Sequence, residues 1–385
     1  MKKHKFYSPL LAPLISIIIG IYAQQRFLIP IQYPVCALLI ISALIVIALL
    51  FKKLSFATTL ASPLLLCFGS ILIHLQTTHH ATKFSALEGH QLQLHATITD
   101  KGMWGEHNNK HWVRITVHEA FCPNTNTHNH TQFDLLCYFA YRKSICVDDA
   151  VVIHNAILKK QTTKKRADTA SYQDYLIKEG ILCSLFLTGA NKCTITSRPS
   201  WSIKRWLWQL RHTTYQSMRK KLSKTAFVYV GLMFLGNKEH DSLQQLRTTF
   251  NQWGLTHYLA RSGLHIVLFI MIWTFILGFI PAHIAIKRLL LILICFVYDL
   301  LSWASIPFAR ALYVFFLVKG GQFMGQQTNF LHLLSLVCLG ILIFNPMQLF
   351  FLDFQLTFAL TFTLVLTAPF IDSTKKHTDI AAKAS

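Results

Sequence analysis

The sequence predicts a polytopic α-helical membrane protein that carries a small extracytoplasmic β-barrel domain of OB-like type. Three observations carry this reading. Apolar residues make up 53% of the 385, with a mean hydropathy of +0.40. They fall in membrane-length runs at both ends of the chain rather than being scattered, as a soluble core would have them. Between those runs lies a polar middle in which apolar and polar residues alternate at the strand period.

The N-terminal part, residues 1–76, reads as three spans. Lys2, Lys3 and Lys5 precede an apolar run over 8–23, and more apolar sequence follows it, so it reads as an uncleaved first span and not as a signal peptide. Further runs occupy 31–51 and 56–75, with Lys52 and Lys53 between them. These lysines put the N-terminus and the second loop on the cytoplasmic side, and an odd number of spans carries the chain outside.

Residues 77–197 read as the β domain. Segments such as Leu92–Ile98 and Trp112–Val117 alternate and are bounded by Gly, Asn and Asp turns, and 133–141 and 150–158 continue the pattern. About five short strands suit a small barrel. Within it, His128 and His130 read as part of a solvated loop, because no acidic partner stands at ligand spacing; no metal site and no cofactor are expected. The run Lys159, Lys160, Lys164, Lys165 and Arg166 is either a solvated face or a guide for a phosphate backbone.

Residues 198–250 hold an aromatic, basic amphipathic helix over 201–222, expected to lie in the headgroup plane against membrane lipid, and a short apolar segment from Gly231 to Gly236. Residues 251–370 carry five more apolar runs, beginning near 264, 288, 308, 330 and 348, with Asn345-Pro346 as a helix break. Lys287, Arg288, Lys319, Lys375 and Lys376 then fall on the cytoplasmic side, and 371–385 reads as a cytoplasmic polar tail.

Charge and cysteine content bound the function. The formal net charge of +21 suits anionic lipid, nucleic acid or the positive-inside rule. None of the nine Cys form CxxC pairs, so a zinc ribbon or thioredoxin motif is unsupported. No Walker A, His-Glu-x-x-His, Gly-x-Ser-x-Gly or His-x-His-x-Asp-His motif is present, and no enzymatic role is expected.

The most specific stretch runs from Trp253 to Leu268. If helical, His257, Arg261 and His265 share one face at four-residue spacing, and such groups point into a protein interior or a wet cavity. Gly254, Leu255, His257, Leu259, Ala260, Ser262, Gly263, Leu264 and His265 closely resemble the signature of the ComEC family of bacterial competence membrane proteins. Thr256 stands where that family has Ser, and Arg261 where it has an aliphatic residue. Fainter echoes are Tyr172, Asp174, Tyr175, Leu176, Gly180 and Ile181, the segment Pro307-x-x-Arg310-Ala311, and Asp353-Phe354-Gln355-Leu356-Thr357-Phe358.

The resemblance implies an inner-membrane protein that passes single-stranded DNA into the cytoplasm during natural transformation. His257, Arg261, Ser262, His265, Arg310 and Gln355 are then the expected lining residues, and Lys159, Lys160, Lys164, Lys165 and Arg166 the DNA-backbone guide. It also implies a short form without the family's C-terminal metallo-β-lactamase-like domain. The remainder of the channel would come from a separate chain or from self-association. Two other classes stay open: a non-transporting scaffold or remnant, and a small-solute transporter. The latter would be favoured by inverted repeats, and none is visible between the first three runs and the last five.

Overall fold

The structure is a computed structural model. It describes residues 8–384 apart from 52–53, 86, 103–110, 124–126, 140–144, 159–175, 177–178, 188–191, 237–249, 251, 254–262, 303–305 and 326–328. The chain divides into two compact units. A helical unit takes residues 1–75, 262–295 and 305–385; a second unit takes 76–261 and 296–304 and contains the sheet.

Each apolar run of the sequence becomes a helix. The first three are α1 (Leu11–Phe27), α2 (Gln32–Leu50) and α3 (Leu54–Ser85). α1 stops at Leu28, whose left-handed backbone (φ 48°) lets its N–H bond the Gln24 carbonyl at 3.0 Å. Residues 1–76 and 251–370 read as separate parts of the sequence, yet 1–75 falls in one compact unit with 262–295 and 305–385, while 251–261 and 296–304 belong to the other. Leu14, Ile17 and Ile21 of α1 share a core with Ile73 of α3 and with residues from the C-terminal helices.

The α1–α3 crossing is tight because of glycine. A Cβ on Gly20 would lie 2.0 Å from the Leu66 carbonyl oxygen, and one on Gly69 would lie 2.6 Å from that of Ile17. Ser70 closes the crossing by donating its hydroxyl to the Gly20 carbonyl at 3.0 Å. Small residues and interhelical hydroxyl bonds are how helices approach closely where lipid removes the hydrophobic drive.

The second unit is a curled half-barrel of six strands: β1 (Gln91–Lys101), β2 (His111–Cys122), β3 (Thr127–Phe139), β4 (Ala150–Ile157), β5 (Ile181–Leu187) and β6 (Cys193–Ser197). Their order is β5-β3-β2-β1-β4-β6, all neighbours antiparallel except the parallel β3–β5 pair. Leu92, Leu94, Ala96 and Ile98 point to the core, while the residues between them stay half-exposed. The curl shows in the cysteines. Cys137 of β3 and Cys193 of β6 lie near enough to interact across a core that also holds Cys183, although three strands separate β3 from β6 in the sheet. Burial, first, and these neighbours push the Cys137 thiol up.

Two sequence expectations change here. His128 and His130 belong to β3, not to a loop, because the strand begins at Thr127 and pairs with β2 as far as Cys122. The sixth strand was not expected; Cys193–Ser197 is short and pairs with β4. At the Gly180-Ile181 dipeptide, Gly180 takes a left-handed backbone (φ 78°), and Ile181 opens β5 while packing on buried Leu176.

After the sheet, α4 (Ile203–Lys221) is capped by Ser202, whose hydroxyl accepts the Arg205 N–H. Trp201, Ile203 and Trp206 are exposed, as an interfacial helix would have them. Trp208 instead turns to the sheet, donating its indole N–H to the Lys101 carbonyl at 3.2 Å and stacking on His212. The short helix α5 (Lys224–Val230) runs into a π-helical turn over Gly231–Leu235 that ends on left-handed Gly236.

The C-terminal helices are α6 (Gly263–Gly278), α7 (Ile284–Leu301), α8 (Ile306–Phe323), α9 (Phe330–Phe344) and α10 (Leu352–Ala384). Asn345-Pro346 ends α9 and opens a 3-10 turn, Pro346–Phe350, before α10. The stretch read as a polar tail continues α10.

Among the described residues one helical stretch, Thr59–Thr77, is long and apolar enough to cross a membrane. Leu11–Phe27, Gln32–Ala48, Gly263–Gly278, Phe330–Phe344 and Leu352–Ala368 are shorter apolar helices. Large apolar side chains stand exposed along α2 (Leu39, Ile40, Val46), α6 (Val267, Met271, Phe275) and α7 (Leu289, Leu293, Phe296). Exposed apolar faces of this kind mark surfaces for lipid or for protein.

Candidate functional site

Three of the stretches that carry the family resemblance meet around one guanidinium in the helical unit. Pro307 sits in the first turn of α8, where its missing N–H costs nothing, and one turn on Arg310 projects from that helix. Arg310 Nη1 donates to the Thr357 carbonyl of α10 at 2.6 Å and also to the Thr361 hydroxyl. Thr361 in turn donates to the same Thr357 carbonyl at 2.7 Å. On the other side stands Gly263, the first residue of α6: a Cβ there would lie 3.2 Å from Arg310 Nη2 and 3.5 Å from the Ala311 methyl. Glycine at 263 therefore leaves room for the arginine.

The helices that supply the site are apolar around it in sequence. Phe308, Phe354 and Phe358 are buried, with the last two rings 4.6 Å apart. A cation in such surroundings needs fixed acceptors, and the doubly used Thr357 carbonyl with the Thr361 hydroxyl supplies them. Both bonds leave the single nitrogen Nη1, and the rest of the planar guanidinium extends toward Gly263.

The other expected lining residues are distributed differently. His265 lies on α6, two residues beyond Gly263, and is half-buried. Gln355 is exposed and donates its amide to the Leu349 carbonyl at 2.8 Å, closing the 3-10 turn ahead of α10. Asp353, also exposed, sits in the first turn of α10, where an acid complements the helix dipole. His257, Arg261 and Ser262 lie outside the described residues, as do Lys159, Lys160, Lys164, Lys165 and Arg166. Thr361 was not singled out from sequence; its spacing of four from Thr357 was the available signal.

The sheet unit has its own charged cleft of about 400 Å³, between β1, β2, β3 and α4. Arg114 centres it, paired with Asp134 at 2.8 Å and with Glu179 at 3.9 Å, while Thr116 donates to Asp134 at 2.6 Å. Lys204, Trp208 and Arg211 from α4 form the opposite wall. Burial pushes the Asp100 carboxyl up, against the Lys101 backbone N–H and the Arg211 and Arg114 charges that pull it down. Folding thus favours the protonated form of Asp100 more than the unfolded chain does. Its favourable contribution is complete below the ordinary carboxylate range and is lost as pH rises through the raised value. Asp100→Asn is expected to melt higher than the parent at neutral pH, with the gap closing in acid. Parallel melting curves across pH check this; equal curves at neutral pH would contradict it.

Residues 233–384 match the family described as Competence protein. Over 208 residues the chain is 26% identical to ComE operon protein 3 of Bacillus subtilis (strain 168), a match covering 53% of this chain and 26% of that protein. The chain thus spans about a quarter of the length of this curated relative. No solved structure matches. The family match contains Gly263, Arg310, Thr357 and Thr361, and a membrane location follows from it. The likeness to the competence protein family thus covers residues 233–384, the C-terminal part of the chain.

Proposed function

We propose that this chain takes part in DNA uptake during competence, as a multi-pass inner-membrane component of the path by which single-stranded DNA reaches the cytoplasm. The observation that carries the reading is the convergence, inside the family-matched region, of Gly263 and the Thr357–Thr361 turn on one half-buried cation, Arg310. The exposed apolar faces of α2, α6 and α7 favour lipid on several sides of the helical unit and support the multi-pass reading. The strand order, a three-stranded meander with β4 beside β1 and β5 parallel to β3, supports an OB-like domain. On such a domain the run from Lys159 to Arg166 is the natural backbone guide.

A second reading has an observation in its favour. Arg310 spends donors on tying α8 to α10, which is what a structural arginine in a non-transporting scaffold would do. The test compares Arg310→Ala and Arg310→Lys strains at matched membrane levels of the chain. The uptake reading expects transformation to fall by roughly a hundredfold in Arg310→Ala, about 2–3 kcal/mol of lost charged hydrogen bonding at the site, and to recover in part with Lys. Unchanged transformation in both strains sinks the role given to Arg310 in transport and leaves the scaffold.

A further inference from the structure

The outer face of the sheet holds a second cluster, separate from the cleft around Arg114. Glu119 of β2 stands directly opposite His95 of β1 on one side and His130 of β3 on the other. His128, two residues before His130 and therefore on the same face, places Nδ1 2.7 Å from Glu119 Oε1. The hydrogen bond with His128, first, and the nearby imidazoles of His130, His128 and His95 hold the Glu119 carboxyl below its usual range. His118, beside Glu119 at a register shift in β2, bonds Thr97 Oγ1 at 2.8 Å, and His154 of β4 bonds Thr194 Oγ1 at 3.1 Å. These two are occupied elsewhere; the four-residue group is what remains.

We propose that Glu119, His128, His130 and His95 form a site for a borderline divalent transition cation such as Zn²⁺, which staples β1, β2 and β3 together. This goes beyond the uptake reading and does not depend on it. A His-x-His pair on one strand aims two imidazoles from one face, and a residue directly opposite on the next strand lies only about 5 Å away between Cβ atoms. That spacing lets ring nitrogens and a carboxylate reach one metal at about 2.0–2.2 Å. Three or four N/O ligands from imidazole and carboxylate suit zinc, copper or nickel and not magnesium or calcium. Among the described residues no three ligand side chains already meet at one point. Closure takes rotation of the rings, and His128 has the room for it, its side chain being 58% exposed. The sequence argument against a metal was the missing acidic partner; the β2–β3 register supplies it.

The experiment is equilibrium dialysis of the full chain in detergent against Zn²⁺, with Co²⁺ absorption as the geometric probe. The parent is expected to hold one more equivalent than His128→Ala/His130→Ala. Glu119→Gln and His95→Ala should each weaken that equivalent by about tenfold or more. His154→Ala, on a bonded histidine outside the group, should leave it unchanged. Equal binding by the parent and the double variant would overturn the proposal. So would loss of binding in His154→Ala, or a Co²⁺ spectrum dominated by thiolate charge transfer, since the site contains no cysteine.

Discussion

Replacing Gly20 by valine is expected to break the helical unit. The added Cβ would fall 2.0 Å from the Leu66 carbonyl oxygen, a backbone atom that cannot swing aside as a side-chain tip would. Relief requires α1 and α3 to separate, which also breaks the Ser70 to Gly20 bond and opens the core made by Ile17, Ile21 and Ile73. Overpacking usually costs about 1–3 kcal/mol. With backbone on both sides of the clash, the upper end or more is expected here, enough to lower the folding equilibrium constant by about a hundredfold. Gly340→Ala is the matched control: nothing lies within 4 Å of its Cβ position on α9, and helix propensity favours alanine by about 1 kcal/mol. Thermal unfolding of detergent-solubilised chains compares the two. A Gly20→Val protein that melts with the parent would remove the close crossing from the account.

The second large effect lies in the sheet unit, at Asp149. Its side chain is fully buried and accepts from the Cys146 N–H at 2.8 Å and from the Arg205 guanidinium, with Arg198 at 3.7 Å. Arg205 also donates to the Val147 and Pro199 carbonyls, and Ser202 donates to Asp148 at 2.6 Å. This network fastens the start of α4 to the turn before β4. Asp148 holds that turn in a left-handed backbone (φ 68°), and its N–H bonds the Ile98 carbonyl of β1. Asp149→Ala strands a largely buried guanidinium and orphans an N–H, and is expected to cost about 3–5 kcal/mol. Asp149→Asn keeps an acceptor oxygen for only one of the two donors, since Cys146 and Arg205 bond different carboxylate oxygens, and should lose only somewhat less. Denaturant unfolding followed by tryptophan fluorescence reads this directly, because Trp208 sits on α4 against the sheet. Loss of under about 0.5 kcal/mol in Asp149→Ala would mean the network is redundant.

What the sequence made legible follows from which interactions are local. Apolar runs fix helices wherever they occur, and α1, α2, α3 and the five C-terminal helices lie where hydropathy puts them. Asn345-Pro346 breaks the helix because proline lacks the N–H that continuation needs. Alternation gave the central strands, whose inward residues are wholly buried. It failed for Cys193–Ser197, a strand of five residues, and for His128 and His130, whose polar surroundings look like a loop until β2 pairs with them. The site was legible in part. Arg310 could be picked from its motif, but its partner Thr361 is set by the approach of α10 to α8, which no local pattern encodes. Gln355 was picked from the same kind of motif, and its amide caps a turn instead of joining the arginine.

The central claim is that this chain lies on the route of DNA into the cell, and transformation of a strain lacking it tests that most directly. Labelled DNA is followed at the same time as transformants are counted. The account predicts that transformants fall to background while bound DNA stays outside the cytoplasm, and that re-expression of the chain restores both. Undiminished transformation without the chain would contradict it.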